Sequence, residues 1–210
     1  MNYETIKRIM DIFLCIFLGI LFSPVCLLTV LAIKLESPDG PIFAVTPKRL
    51  GKKSKLFYPY KFRSMIPNAI EYLKSHPELY DQYKKSSFKL HDDPRVTKVG
   101  KFIRKYSIDE VPQFINVLKG EMSIIGPRPY YPDELETQEK KYPHTKELIK
   151  AALSVKPGIT GQWQVNGRSD INFDKRIELD ANYARHLSLW YDLKILFKTP
   201  FAMLSGKGAV

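Results

Sequence analysis

The sequence predicts a mainly helical α+β protein with an N-terminal membrane segment, and three observations support this fold class. Residues 12–33 form an uncharged run of 22 residues. Beyond it, short apolar runs of strand length alternate with stretches whose apolar residues recur at helical spacing. Turn signals rich in proline and glycine separate these pieces. We therefore expect a membrane segment over residues 1–36 and a small cytosolic domain with short strands over residues 37–210.

The uncharged run is long enough to cross a bilayer. As a helix it extends about 33 Å, and a hydrocarbon core is about 30 Å thick. It is too long for a signal-peptide core, and no small-residue cleavage site follows it. Ser23 and Pro24 lie at its centre, where proline interrupts helical hydrogen bonding. The run forms either a single span or a re-entrant helix that breaks at Ser23-Pro24 and returns to the same side.

Basic residues flank the run on both sides. The positive-inside rule keeps such flanks in the cytoplasm, which favours the re-entrant alternative. In that alternative the backbone groups that Pro24 frees need partners at membrane depth, and the Ser23 hydroxyl can supply one. The residues alone leave the two alternatives equally favoured. The flanking residues are Lys7, Arg8, Lys34, Lys48, Arg49, Lys52, Lys53 and Lys55.

The chain as a whole carries an excess of positive charge. It has 33 Lys and Arg residues against 22 Asp and Glu residues, a formal net charge of +11. Such a balance indicates nucleic acid, an anionic membrane or a phosphorylated substrate as partner. We find no element for base reading and expect no nucleic-acid partner. Cys15 and Cys26 show neither metal-site nor disulfide spacing, which indicates a reducing compartment.

The segment after residue 37 predicts short elements joined by turns. A turn at residues 38–41 precedes extended pieces at 42–45 and 56–65. Helices follow at 68–74 and 77–85, the second opened by a proline at its first position. Residues 91–106 read as a loop and a helix, and a short apolar run ends at Gly126. These elements make a domain that is helical with few strands.

Two acids stand together in YSIDEVPQF, residues 106–114. Ser107 and Glu110 fit a capping box at a helix start, and Gly120 ends that helix. Pro112 conflicts with a start at Ser107, because it would be the fifth helical residue and remove a helical bond. If the helix begins at Asp109 instead, the acid pair lies at the helix mouth, which suits a phosphate site. The following apolar residues, Val111, Phe114, Ile115 and Leu118, form one helical face.

Arg128 stands between two prolines in GPRP, residues 126–129. The prolines fix the backbone on both sides, so the arginine is oriented for bidentate phosphate contact. The alternative is a surface arginine in a rigid loop.

The C-terminal stretch 187–204 predicts an amphipathic helix. It either lies along the lipid headgroups, for which Trp190 and Tyr191 are suited, or packs on the core. Pro200 should bend or end it. The residues that share its apolar side are Leu189, Trp190, Leu193, Leu196 and Phe197.

Common catalytic signatures are absent from the sequence. It contains no glycine-rich dinucleotide motif, no P-loop, no H-E-x-x-H zinc motif and no G-x-S-x-G nucleophile elbow. Asp109 and Glu110 could suggest a glycoside hydrolase, whose carboxylates stand about 5 Å or more apart across the scissile bond. Adjacent residues at a helix start are expected to project in different directions, which disfavours that class.

Five ordered segments resemble the bacterial polyprenol-phosphate phosphoglycosyl transferases of the small monotopic type, which initiate assembly of membrane-linked glycans. The segments cover about 190 of the 210 residues. They are KRIMDIF…LFSPV, YKFRSM, DPRVTKVGKFIRKYSIDEVPQFINVLKGEMSIIGPRP, KPGITGQWQVNGR and LSLWYDLKIL. Lys156, where arginine is common, and the order Gln162-Trp163 depart from the family pattern and bear on the choice of sugar or nucleotide.

The resemblance assigns roles to residues of this chain. It implies that Ser23 and Pro24 break a re-entrant helix hairpin within residues 1–36, with interfacial helices elsewhere. Asp109 is then the nucleophile, Glu110 assists as a metal ligand or a base, and both hold Mg²⁺. The residues expected to bind substrate phosphates are Lys61, Arg63, Arg104, Arg128 and, less securely, Arg168.

The resemblance also implies a reaction and a place for it. A sugar 1-phosphate passes from a nucleotide-diphosphate sugar, expected to be a UDP-sugar, to a polyprenol phosphate such as undecaprenyl phosphate. The site is expected at the cytoplasmic face of the bacterial inner membrane, against anionic lipid. The alternatives are a non-catalytic membrane-tethered scaffold for glycan assembly and a nucleic-acid module, neither of which requires the acid pair followed by P-R-P. The sugar, the lipid length and the oligomeric state stay open, with a homodimer as one alternative.

Overall fold

The computed structural model describes residues 2–85, 90, 92–167 and 171–205, and it is mainly helical with two small sheets. The α-helices are α1 Tyr3–Glu36, α2 Ala69–Lys74, α3 Pro77–Lys85, α4 Lys98–Lys105, α5 Phe114–Lys119, α6 Pro132–Lys141, α7 Lys146–Ala152, α8 Gln162–Val165, α9 Phe173–Arg185 and α10 Leu189–Leu204. The β-strands are β1 Arg49–Leu50, β2 Leu56–Phe57, β3 Ser123–Ile125 and β4 Gly158–Thr160. The α+β class predicted from the sequence is confirmed.

Helix α1 contains the uncharged run, and by length and composition it is able to cross a membrane. Asn2 caps its start by accepting a hydrogen bond from the Thr5 amide at 3.0 Å. Pro24 lies inside the helix and has no N–H to offer the carbonyl of Ile20. The Ser23 hydroxyl donates to that carbonyl at 2.8 Å. The serine thus satisfies the backbone group that the proline leaves without a donor.

Both halves of α1 pack on the same domain. In the first half, Arg8 donates to the carbonyls of Val117 and Leu118 at the end of α5, at 2.6 and 2.8 Å. In the second half, buried Ile33 packs with Phe62 and with Ile103 of α4. Between these contacts α1 exposes a row of large apolar side chains. They are Phe13, Ile16, Phe17, Ile20, Leu21, Leu27, Leu28 and Leu31.

The two sheets are short, and only one was foreseen in part. β1 and β2 pair antiparallel, with Arg49 opposite Phe57. β2 lies in the piece predicted to be extended at 56–65, whereas β1 lies between the two predicted pieces. β3 and β4 pair in parallel, Ser123 opposite Gly158, and the sequence analysis did not predict β4. A Cβ on Gly126 would come within 2.4 Å of the Lys156 carbonyl oxygen, so only glycine allows this approach. The close crossing fixes the start of the loop that carries Arg128.

The predicted helices at 68–74 and 77–85 are confirmed as α2 and α3. The predicted extended pieces are also present: Phe43 bridges to Phe62, and Met65 to Val96. Pro200 does not end the C-terminal helix, because α10 continues to Leu204.

The capping box predicted at Ser107 does not form. Ser107 has a left-handed backbone with φ of +55°, and its side chain makes no capping hydrogen bond. A 3-10 helix, Ile108–Gln113, precedes α5 and contains Pro112, so the regular helix begins later than either alternative placed it. Gly120 ends α5 as predicted, with φ of +80°.

Two helices turn apolar side chains outward. In α5 the buried residues are Asn116 and Val117, while Ile115 and Leu118 of the predicted apolar face are exposed. In α10 the buried residues are Asp192 and Ile195. The large exposed apolar side chains of α10 are Trp190, Phe197, Phe201 and Leu204. These faces do not pack on the core of this chain.

Candidate active site

The acid pair lies on the 3-10 helix between α4 and α5. The Phe62 amide donates to the Asp109 carbonyl at 2.9 Å, which ties this helix to the extended segment that carries Lys61. The Ala44 amide in turn donates to the Lys61 carbonyl at 2.9 Å and holds that segment from its other side. Backbone pairing therefore places Lys61 next to two carboxylates that lie about 50 positions away in the chain.

Lys61 contacts both carboxylates. Its ammonium group forms an ion pair and a short hydrogen bond with Glu110 Oε1, and it lies 3.8 Å from Asp109 Oδ2. Asp109 is buried, and Glu110 is about one-third exposed at its side chain. The expectation that adjacent acids would project in different directions was wrong, because the tight 3-10 geometry lets both reach one cation.

Burial and neighbouring charges shift the pKa values of the two carboxylates in opposite directions. Burial raises the pKa of Asp109 above its ordinary value, and the Lys61 ammonium only partly opposes this. Burial also acts on Glu110, but Lys61, Arg128 and Arg49 outweigh it and hold the pKa of Glu110 below its ordinary value. Glu110 is therefore the more firmly ionised member, while Asp109 is the carboxylate with less stabilisation of its charge.

Arg104 approaches the pair from α4. Its Nε donates to the Ser64 hydroxyl at 2.8 Å, and its charge lowers the pKa of Asp109. Arg104 thus contributes positive charge near Asp109, and its phosphate-binding role stays a prediction.

Arg128 approaches from the proline-flanked loop. Its backbone N–H donates to buried Asp180 of α9 at 3.1 Å, and its guanidinium lies 4.7 Å from the ring centroid of Trp163. Its Nε is buried and has no hydrogen-bond partner. The charge of Arg128 acts on Glu110. The loop is therefore fixed by its backbone, and the guanidinium retains donor capacity for a ligand.

Arg49 is a further cation at the site. It is 9% exposed, and its guanidinium lies 3.0 Å from the centroid of the Tyr131 ring. Burial lowers the pKa of Arg49 to about 10, and the nearby Arg128 adds to this effect. In the sequence, Arg49 stands out only as part of the basic flank of the membrane segment. A two-residue strand is too short to show a pattern that would have singled it out.

Arg63, a predicted phosphate-binding residue, is not part of this arrangement. Arg63 is buried, and its guanidinium donates to the carbonyls of Pro41, Ser37 and Met65 at 2.5, 3.2 and 3.4 Å. These bonds hold the turn after α1, so we do not carry Arg63 into the site. Arg168 lies outside the described residues.

The acid pair is compatible with a Mg²⁺ ion. No group of three or more metal-ligating side chains occurs among the described residues. Mg²⁺ is commonly held by one or two carboxylates together with substrate phosphates and water. Asp109 and Glu110 already converge on one cation, the Lys61 ammonium, and supply those two carboxylates.

Comparison with known proteins agrees with the sequence motifs. The model of a family described as bacterial sugar transferase matches residues 2–206. The chain belongs to the bacterial sugar transferase family. The resemblance found from the motifs is confirmed, because the match includes α1, the acid pair and the Arg128 loop.

Curated members of the bacterial sugar transferase family match nearly the whole chain. The undecaprenyl-phosphate galactose phosphotransferase of Salmonella typhimurium is 44% identical over 208 residues, which are 97% of this chain and 41% of that protein. The exopolysaccharide production protein ExoY of Sinorhizobium fredii is 40% identical over 207 residues, 97% of this chain and 87% of that protein. The UDP-glucose:undecaprenyl-phosphate glucose-1-phosphate transferase of Escherichia coli K12 is 40% identical over 209 residues, 97% of this chain and 41% of that protein. The chain spans less than half the length of the first and third of these relatives.

Proposed function

We propose that this protein transfers a sugar 1-phosphate from a nucleotide-diphosphate sugar, a UDP-sugar, to undecaprenyl phosphate and releases UMP. The observation that carries the proposal is the convergence of Asp109 and Glu110 on Lys61, beside arginines that have donors to spare. The names of the relatives, which specify undecaprenyl phosphate and in one case UDP-glucose, support the choice of substrates.

The reaction proceeds in two displacements at phosphorus. A carboxylate oxygen of Asp109 attacks the phosphorus bonded to the sugar, and the bond from that phosphorus to the bridging oxygen breaks. UMP leaves with the bridging oxygen and its electron pair. A phosphate oxygen of undecaprenyl phosphate then attacks the aspartyl phosphosugar at the same phosphorus and releases the Asp109 carboxylate. The cations around the pair offset the negative charge that would otherwise repel each nucleophile.

Asp109 and Glu110 would hold the Mg²⁺ ion, which when bound neutralises charge on the diphosphate. Lys61 bridges the two carboxylates and keeps them together. Glu110 has a second candidate role, because it is ionised and partly exposed. It can accept a proton from the incoming lipid phosphate.

An apolar groove offers a place for the lipid chain of the acceptor. It lies between the second half of α1 and α4, has a volume of about 480 Å³, and reaches Ile108, the residue before Asp109. Lys98 stands at the groove and matches an anionic headgroup in charge. The lining residues are Val25, Leu28, Thr29, Ala32, Lys98, Val99, Phe102, Ile103 and Ile108.

Adjacent leucines of α1 test this placement of the lipid. Leu28 lines the groove and Leu27 does not, yet both are exposed, at 67% and 71%. Leu28→Trp should raise the KM for undecaprenyl phosphate by about ten-fold, since a bulky ring fills space that the chain would occupy. UMP release in the absence of acceptor should stay unchanged. An equal effect of Leu27→Trp would mean that the groove is not the lipid site.

We further propose that α1 is re-entrant and that the protein lies at the cytoplasmic face of the bacterial inner membrane. Three observations support this: both ends of α1 contact one domain, Ser23 satisfies the carbonyl freed by Pro24, and α5 and α10 expose apolar faces. α5 and α10 would lie along the headgroups. A cysteine at position 2, in a variant without Cys15 and Cys26, should resist membrane-impermeant thiol reagents in intact cells. Efficient labelling from outside would mean that α1 crosses the membrane once as a single span.

The reaction itself is tested with the purified full chain and a panel of UDP-sugars, with UMP release as the measurement. We expect UMP release with one of the UDP-sugars. The amount of UMP should equal the amount of enzyme without undecaprenyl phosphate and should exceed it many times when undecaprenyl phosphate is present. Absence of release with every UDP-sugar, from a folded protein with Mg²⁺ and acceptor present, would leave the non-catalytic scaffold as the better interpretation.

A further inference from the structure

Among the described residues, Arg49 and Arg63 are buried arginines without a carboxylate partner, but Arg63 is satisfied by three backbone carbonyls, whereas Arg49 keeps an unused donor. Among the described residues, Arg95 pairs with Asp93 at 2.6 Å and Arg176 pairs with Glu134 at 2.8 Å, but no carboxylate lies within ion-pair distance of Arg49. Its Nη1 is also buried without a hydrogen-bond partner. A buried donor without a partner and a buried cation without a counter-ion both raise the free energy of the folded state.

The position of Arg49 links it to the active site. The Leu50 amide donates to the Tyr130 carbonyl at 2.9 Å, which fastens β1 to the loop just after Arg128. Tyr131, whose ring lies against the Arg49 guanidinium, is three residues beyond Arg128. Arg128 likewise forms no ion pair among the described residues and has a buried Nε without a partner. Two guanidinium groups with unused donors therefore lie on neighbouring segments, β1 and the Arg128 loop.

The charges around the acid pair do not balance. Four cations, contributed by Lys61, Arg49, Arg104 and Arg128, surround the carboxylates of Asp109 and Glu110. Glu134 also acts on Arg49 and Arg128, but it is held by Arg176. The group thus carries about two positive charges in excess, which matches the charge of a nucleotide-sugar diphosphate.

We propose that Arg49 binds the diphosphate of the donor together with Arg128, through the Nη1 group that has no partner in the free protein. This inference rests on the proposed function and adds a substrate-binding residue to it. The face of the Tyr131 ring orients the guanidinium plane by a cation–π contact. The same half-buried ring covers Arg49.

The decisive measurement is equilibrium binding of UDP, UMP and uridine to the full chain. Arg49→Gln should weaken UDP binding by about ten- to a hundred-fold, the loss expected for a charge-assisted hydrogen bond, while uridine binding changes little. Arg49→Lys keeps the charge without the planar fork and should weaken UDP binding by about ten-fold. Unchanged UDP affinity in both variants would overturn the proposal, and so would an equal loss for UDP and uridine.

Thermal stability gives a second measurement. Replacement of a purely structural arginine should lower Tm, whereas replacement of a ligand-binding Arg49 should not. Arg49→Met removes an uncompensated buried cation, so its Tm should equal or exceed that of the wild-type protein. Arg95→Met is the matched control: Arg95 is 4% exposed and stacks on Tyr83 at 4.9 Å, but its removal leaves Asp93 unpaired. Arg95→Met should lower Tm and leave UDP affinity unchanged. If Arg49→Met lowers Tm like Arg95→Met and retains UDP affinity, Arg49 is structural.

UDP binding and UMP release by the wild-type protein distinguish a failure of this proposal from a failure of the proposed function. Wild-type protein that binds no UDP and releases no UMP would refute the function itself. Wild-type protein that binds UDP, with Arg49 variants that bind it equally well, would refute only the role of Arg49.

Discussion

Two buried polar clusters of this protein differ in how completely their groups are paired. The first joins α1, α10 and β3 around Asp192, which accepts hydrogen bonds from the hydroxyls of Tyr3 and Tyr183 at 3.0 and 2.7 Å. Lys7 lies 3.2 Å from Asp192 and 3.7 Å from Asp11, and Asp11 also accepts from the Ser123 hydroxyl and the Ile124 amide. Both carboxylates are thus paired with protein groups and, with Tyr183 of α9 included, they hold four elements together.

The second cluster is the proposed active site around Asp109 and Glu110, where positive charge exceeds negative charge and donors of Arg49 and Arg128 have no partner. Satisfied networks rigidify a structure, whereas unsatisfied groups cost stability and persist where they serve a ligand. Lys7 Nζ also has no hydrogen-bond partner, but two carboxylates lie 3.2 and 3.7 Å from it. The comparison therefore teaches that the balance of charge separates the structural from the functional cluster here. Burial alone does not, because Asp192 and Asp109 are both buried.

Asp109→Asn should have the largest effect and should act on chemistry alone. An amide of the same size is a far poorer nucleophile, so turnover should fall by at least about 10³-fold while Tm is kept. UMP release and trapping of a phosphosugar adduct by mass spectrometry check this. Glu110→Gln is the companion variant, which should be slower but still form the adduct. An adduct found on a residue other than Asp109 would sink the assignment.

Asp192→Ala should show the reverse pattern, with a loss of stability and intact binding of UDP. Removal of the carboxylate leaves the Lys7 ammonium and two tyrosine hydroxyls without their shared acceptor, at a cost of about 3–5 kcal/mol. Denaturant unfolding of the solubilised protein measures it. Glu136→Ala is the control, since its ion pair with Lys140 is solvent-exposed and contributes little to stability. If the two variants lost similar amounts of unfolding free energy, the Asp192 cluster would not have the structural role assigned to it.

Arg128→Lys tests whether the site needs only positive charge or also the geometry of arginine. Lysine keeps the charge but cannot hold two phosphate oxygens in one plane. Loss of one charge-assisted hydrogen bond, about 1.5–3 kcal/mol, should slow the donor half-reaction by roughly ten- to a hundred-fold. Unchanged UMP release would reduce Arg128 to a residue of a rigid loop, and Arg104 would be the next candidate.

Asp180 contacts both a structural residue, Tyr130, and the Arg128 loop. Counted per unit of pH, the expected change in its unfolding free energy is the smallest of these effects. Asp180 is fully buried and accepts from the Tyr130 hydroxyl and the Arg128 amide, at 2.7 and 3.1 Å. Burial raises the pKa of Asp180 to about 7. In the unfolded chain the pKa of Asp180 is 3.8, and in the folded chain it is about 7. Between these two pH values, the unfolded chain has lost a proton from Asp180 that the folded chain keeps. Stability should therefore fall as pH rises through this window, by about 1.4 kcal/mol per unit, and level off above pH 7.

Asp180→Asn should remove that slope. Unfolding free energies of the wild-type protein and Asp180→Asn, compared from pH 4 to pH 8, give the difference between the two curves. A difference that does not change with pH would show that Asp180 stays ionised in the folded protein, with its charge balanced by Arg176 and Arg128.

The sequence by itself determined the elements whose signals are local. The run at 12–33, the helices at 68–74 and 77–85, and the end of α5 at Gly120 follow from composition, proline position and glycine conformation. The acid pair and Arg128 were also identifiable, because adjacency and flanking prolines are visible in one short stretch. Each of these depends on interactions between residues at most a few positions apart.

Only the tertiary structure decided which charges meet. Lys61 reaches Glu110 through pairing of segments 49 positions apart, and Arg49 reaches the site because β1 is bonded to the loop at Tyr130. Arg63, in the same motif as Lys61, points instead to the carbonyls of the turn after α1. β4 was missed because parallel pairing with β3 has no local signal in three residues. The physical reason is that long-range backbone pairing sets the positions of these side chains, and no pattern within one segment encodes its partner.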